Sequence, residues 1–91
     1  MLECGPIQKG DVIFFKDKTC GVVQAFFIIS NVYFVEYRPM PAVNDELSLR
    51  DKTQSESCFK ECRLVVDSCI WHPTDQAGIV AVCVPPILLF D

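Results

Sequence analysis

Ninety-one residues are enough for one hydrophobic core and too few for two, so residues 1–91 read as a single domain. The chain is 51% hydrophobic with a net charge of −4, and residues 64–91 carry three acids and no base. No stretch clusters lysine and arginine, which argues against nucleic acid as the main ligand, because that binding draws its affinity from cation–phosphate contacts.

Met1 to Gln8 is a lead-in broken by Gly5-Pro6. A first strand is predicted over Asp11 to Lys16, where Val12-Ile13-Phe14-Phe15 follows Lys9-Gly10. A polar loop of hairpin length, Asp17 to Gly21, leads into a second strand over Val22 to Ile29. That strand is nearly continuous in apolar residues, so it is expected to be buried on both faces or to form an edge covered by something else. Ser30-Asn31 is a two-residue turn into a third strand, Val32 to Arg38. Pro39-Met40-Pro41 should end the sheet, since proline has no ladder donor.

Residues 39–60 are predicted to be a surface loop or insertion, in which Asn44-Asp45-Glu46 would cap one helical turn. A fourth strand is expected over Cys62 to Trp71, a turn from His72 to Gly78, and a fifth strand from Ile79 to Val84 stopped by Pro85-Pro86. The expected fold is all-β: a small five-stranded barrel or strongly bent sheet with one long loop or short helix between its third and fourth strands. The longest apolar run, Ile79 to Phe90, is interrupted by those prolines and does not suit a bilayer span.

Six cysteines (Cys4, Cys20, Cys58, Cys62, Cys69, Cys83) would permit three disulfides in a secreted protein. The N-terminus shows no basic region followed by an apolar core, and Cys69 and Cys83 sit in apolar runs where thiols behave as small hydrophobes. Reduced cysteines in an intracellular protein are therefore expected. Cys58, Cys62, Cys69 and His72 are the right residue types for zinc, but their spacing fits no common finger. An extended strand would also hold Cys62 and Cys69 about 20 Å apart. No metal or other cofactor is assigned.

His72 is the only histidine, and no nucleophile elbow, zinc-protease helix or phosphate loop accompanies it, so no catalytic residue is assigned. Gly10 to Phe15 resembles the Gly-Asp-hydrophobic strand of NlpC/P60 cell-wall peptidases over six residues. That family also requires an upstream Asp-Cys segment and a strand beginning with histidine, and this chain has neither.

The aromatic residues carry the binding expectation. Alternation puts Tyr33 and Tyr37 on one side of their strand and Phe34 on the other. Phe15, Tyr33, Tyr37 and Trp71 are candidate walls of a cage for a methylated lysine or of a groove for an extended peptide, with Glu36 or Asp67 on the rim. The competing account is that these rings fill the core, as rings do in any small barrel.

The order Lys9 to Phe15, then Cys20 to Phe27, an Asn31 turn into Val32 to Tyr37, and a terminal Gly78 to Val84, resembles an SH3-like barrel of the Tudor/BAH/chromo-barrel type. It is also similar to small β-domains of transposon-derived and zinc-finger proteins of vertebrates. The resemblance implies an intracellular, nuclear, chromatin-associated module that binds a protein or peptide without catalysis.

Two alternatives stay open. The apolar excess is more than a small domain hides, so some of it is expected to face a partner, a second copy or the rest of a longer protein. Accordingly, a homo-dimerising assembly element would use Phe14, Phe26 or the tail from Ile87 to Phe90. A zinc-supported, nucleic-acid-associated domain is the other. The opening and closing sequences suggest an excised domain.

Overall fold

The β-branched and aromatic runs at the start of the chain become the three strands that organise the molecule. A computed structural model describes residues 7–89; Cys4, the Gly5-Pro6 break and Phe90 lie outside them. The strands are β1 (Val12–Phe15), β2 (Cys20–Ile29), β3 (Val32–Pro39), β4 (Ala42–Asn44), β5 (Leu49–Asp51), β6 (Cys58–Glu61), β7 (Val65–Cys69), β8 (Trp71–Pro73) and β9 (Ile79–Val82). A 3-10 turn, Cys62–Leu64, precedes β7, and a single helical turn, Pro86–Leu89, follows β9.

The fold is all-β, in two antiparallel sheets. The first has the order β6-β3-β2-β1-β7, and the second β4-β5-β9-β8. Both turn residues of the β2–β3 hairpin, Ser30 (φ 51°) and Asn31 (φ 67°), adopt left-handed conformations. That is the type I′ geometry whose twist matches paired strands, and it sets the register at Ile29↔Val32. Closer to β1 the register shifts between Val23 and Ala25, leaving Gln24 as a bulge residue.

β1 is buried on both faces. Val12 and Phe14 point towards the second sheet, where they meet Cys20, Val22, Met40, Val80, Val82 and Leu88. Ile13 and Phe15 point the other way, into a cluster with Ile7, Val23, Val35, Tyr37 and Cys62. All four β1 side chains are at most 1% exposed. Burying each contributes about 1.5–3 kcal/mol relative to exposure, so this short strand anchors both cores.

The structure differs from the sequence expectation at four places, one being the expected His72–Gly78 turn, whose first two residues pair with β9 as part of β8. Pro39 ends the first sheet, but the chain continues through buried Met40 into the second, held by Met40 N–H donating to Cys20 O at 2.9 Å. The expected 39–60 loop instead holds β4, β5 and β6. The Asn44 side chain accepts from Leu47 N–H at 3.1 Å and closes a β4–β5 turn rather than capping a helix. The expected strand from Cys62 to Trp71 is broken twice, by the 3-10 turn and at Ile70, where the chain changes sheets. Among the described residues the five predicted strands are thus nine.

One glycine is required by packing. A Cβ at Gly21 would lie 2.5 Å from Tyr37 Cδ2 and 2.8 Å from Arg38 O. The carbonyl belongs to the β3 ladder and has no room to move. Gly21→Ala is expected to destabilise the fold by about 1–3 kcal/mol, read as a lower urea midpoint at unchanged slope. An unchanged midpoint would show that β2 and β3 can separate there without cost.

Candidate functional site

Phe15 ends β1 and Tyr37 lies near the end of β3, and the pleat turns both towards the same face of the first sheet. Their ring centroids are 4.7 Å apart at 50°. β6 pairs with β3 so that Lys60 stands opposite Val35, on the face that also carries Tyr37. Its Nζ sits 4.5 Å from the Phe15 centroid and 5.8 Å from that of Tyr37. The same ammonium donates to Asp17 Oδ2 and Thr19 Oγ1, both at 2.8 Å.

Two aromatic rings and a carboxylate make a receptor for an ammonium ion. Here that position is taken by the chain's own lysine. A hollow of about 120 Å³, lined by Phe15, Lys16, Asp17, Lys60 and Leu64, lies beside it. The Lys60 hydrogen bond, followed by that from Thr19, lowers the Asp17 pKa to about 2. Burial raises that of the Tyr37 hydroxyl. Lys60 was not singled out from the sequence. Only its alternation with Cys58 and the pairing of β6 with β3 place it over the rings, and nothing local announces that pairing.

The remaining candidate residues are dispersed. Tyr33 is half-buried against the Phe15–Tyr37 cluster. Trp71 packs into the other core, on the opposite face of the first sheet, with Lys52 Nζ 3.7 Å from its ring centroid. Glu36 follows Val35 on β3 and so faces away from Tyr37, opposite Ala25 and Phe59. Asp67 is exposed on β7, opposite Phe14. Of the four aromatic residues, Phe15 and Tyr37 form the one direct ring pair recorded among the described residues.

The cysteine and histidine residues are similarly separated. Cys58 is exposed on β6, Cys62 is buried in the 3-10 turn, Cys69 lies on β7, and His72 is exposed on β8 of the other sheet. Among the described residues no three His, Cys, Asp or Glu side chains gather as a metal site. Cys69 instead hydrogen-bonds Cys20, and that bond, reinforced by burial, raises the Cys20 thiol pKa and keeps it protonated.

Two features face solvent. A hollow of about 410 Å³ is lined by Lys16, Val65, Val66, Ile87 and Leu88, alongside β7, the outermost strand of its sheet. At the far end of the β2–β3 hairpin, Phe27, Ile28, Ile29 and Val32 are exposed, and Phe27 packs on exposed Phe59 of β6 with centroids 5.8 Å apart. Phe14 is fully buried and Phe26 half-buried, so of the apolar residues expected to face a second copy, only Ile87 is freely exposed among those whose side chains are described.

No family model, curated protein or solved structure matches the chain. Among the described residues no helix is long and apolar enough to cross a membrane.

The Asp17–Lys60 contact has a pH signature. A carboxyl held below its unfolded value favours the folded state when ionised. That contribution is fully present above about pH 4. It is lost as pH falls through about 2. Because Asp17 is largely exposed, Asp17→Asn is expected to lower the melting temperature at pH 6 by no more than about 4 °C, and by clearly less at pH 2, where the folded carboxyl is about half protonated. An equal shift at both pH values would assign the contact to geometry rather than charge.

Proposed function

We propose that this chain is a non-catalytic protein-interaction module that takes an extended peptide along β7. The observation that carries this reading is the 410 Å³ apolar hollow beside the outermost strand of the first sheet. A peptide added as a further strand would hydrogen-bond to the β7 backbone, and its alternate side chains would enter between Val65, Val66, Ile87 and Leu88. The volume is in the range of sites that hold a few side chains.

Charge supports a basic flank on that peptide. The protein is net acidic, and Asp67 is exposed on β7 itself. Lys16 at the other end of the hollow suits an acidic or carboxylate group. The reading extends to the SH3-like, Tudor-type resemblance and to a nuclear, chromatin-type setting. In its support, β1 pairs with the later strand β7 as well as with β2, the way a meander closes on its first strand.

The test is titration of labelled protein with extended peptides that alternate apolar residues and carry lysine or arginine flanks, histone-tail sequences among them. Amide shifts are expected at Lys16, Val65–Cys69 and Ile87–Leu88. Ile87→Asp, at a side chain 67% exposed, should weaken binding at least about tenfold with unchanged melting. Silence across the panel, or shifts confined to other strands, would remove the reading.

A further inference from the structure

The β2 strand outruns its neighbour. β1 covers it only from Cys20 to Val22, and Val23 exchanges backbone hydrogen bonds with Gly10 and Asp11 at 2.9 Å each. Beyond that point β2 pairs only with β3, from Ala25 to Ile29. The hairpin turn makes Ile29 and Val32 the closing hydrogen-bonded pair, so Ala25, Phe27 and Ile29 direct their backbone groups to β3. Phe26 and Ile28 then direct theirs outward. Among the described residues no strand receives them.

Natural edge strands are protected by charged side chains, proline, or a cover. This one has none of these among the described residues. From Gln24 to Val35 the chain carries no acidic or basic side chain and no proline. Ile28 and Ile29 are 62% and 58% exposed, and Phe27 41%. We infer that a second copy of this chain covers the edge, with the two β2 strands antiparallel across a two-fold axis at Phe27. This contact is independent of the β7 hollow, which lies at the other end of the sheet.

The register follows from the outward groups. With Phe27 on the axis, Phe26 faces Ile28 of the second copy and Ile28 faces its Phe26. Both N–H groups and both carbonyls of each residue are then used, in four hydrogen bonds. Phe27 meets Phe27 of the second copy as a non-hydrogen-bonded pair, where side chains approach most closely. On that face an aromatic row runs from Phe59 through both Phe27 rings to the second Phe59, extending the contact present within each chain.

Charge and the outward backbone groups suit this occupant. Each copy carries −4, yet the facing segments are uncharged, so no like charges meet at the contact. The exposed parts of Phe27, Ile28 and Ile29 come to about 600 Å² over both copies, which places the contact among small, transient interfaces. A reversible dimer with a dissociation constant in the micromolar range is the expected result.

Sedimentation under reducing conditions, which keep exposed Cys58 and Cys83 as thiols, provides the test. Wild type should be dimeric at about 100 μM and dissociate on dilution. Ile28→Pro removes one outward donor without removing any β3 bond, and Phe27→Lys sets two ammonium groups against each other on the axis. Each should weaken the dimer at least about tenfold, with melting and far-ultraviolet spectra showing a folded chain. Val43→Lys, at an exposed position of β4, should leave it intact. A wild type that stays monomeric at 100 μM overturns the inference and assigns the edge to the segment before Ile7 or to another protein. A dimer that survives both substitutions overturns it as well. In either case peptide binding along β7 would be unaffected, so the two readings fail separately.

Discussion

The structure depends on four residues that have no exposed face. Val12, Ile13, Phe14 and Phe15 form a strand whose alternate side chains serve two different cores. Remove β1 and the second sheet loses its floor, while the Phe15–Tyr37 cluster loses one of its rings. The strand is short because polar residues bound it: Asp11 accepts from Gln8 N–H at 2.9 Å, and Lys18 at the far end turns with φ 71°. Its brevity leaves the outer half of the ten-residue β2 without a neighbour on that side among the described residues. The deepest part of the core and the barest part of the surface thus have one cause.

The second sheet deepens this division. Its inward residues Val80 and Val82, with Trp71, pack over Val12, Phe14 and Val22, at the β1 end of β2. Among the described residues nothing equivalent lies over the hairpin end, where Phe27 has Phe59 as its ring contact. A β-hairpin carrying this many apolar residues is marginal alone in water. Its order here derives from the buried half of the same two strands, which act as a lever arm fixed at one end. The pairing of β6 with β3 from Phe34 to Tyr37 supports the hairpin on its other side.

How much of this was legible in the sequence depended on whether the signal was local. The first three strands were readable because their runs are long and their breaks chemically explicit, down to the Asn31 turn. The second of them reads as doubly buried or as a covered edge; it is buried up to Val23, and from Ala25 it is an edge on which no described element lies. Alternation also put Tyr33 and Tyr37 on one face. By contrast, β4, β5 and β8 have three residues each, too few to show a period, and they exist because the second sheet pairs them. Trp71 looked like a partner for Tyr37, but the crossover at Ile70 takes it to the opposite face. Placement across a crossover is a tertiary fact, and no spacing rule contains it.

The distribution of positive charge connects the interior to the exposed edge. Arg50 lies over Phe14 at 5.6 Å, Lys52 over Trp71 at 3.7 Å and Lys60 over Phe15 at 4.5 Å, so three of the eight basic residues are spent on rings. Such contacts keep a long side chain folded against the surface and take it away from solvent-facing work. The other five lie outside residues 24–35, so none stands where an edge strand would ordinarily carry a lysine as a guard. Placing a lysine at Ile28 or Phe27 would not disturb either core, because both lie beyond the two clusters along the strand and belong to neither. The fold therefore does not require this edge to be apolar and uncharged. An apolar, uncharged edge is what the inferred pairing with a second copy would use.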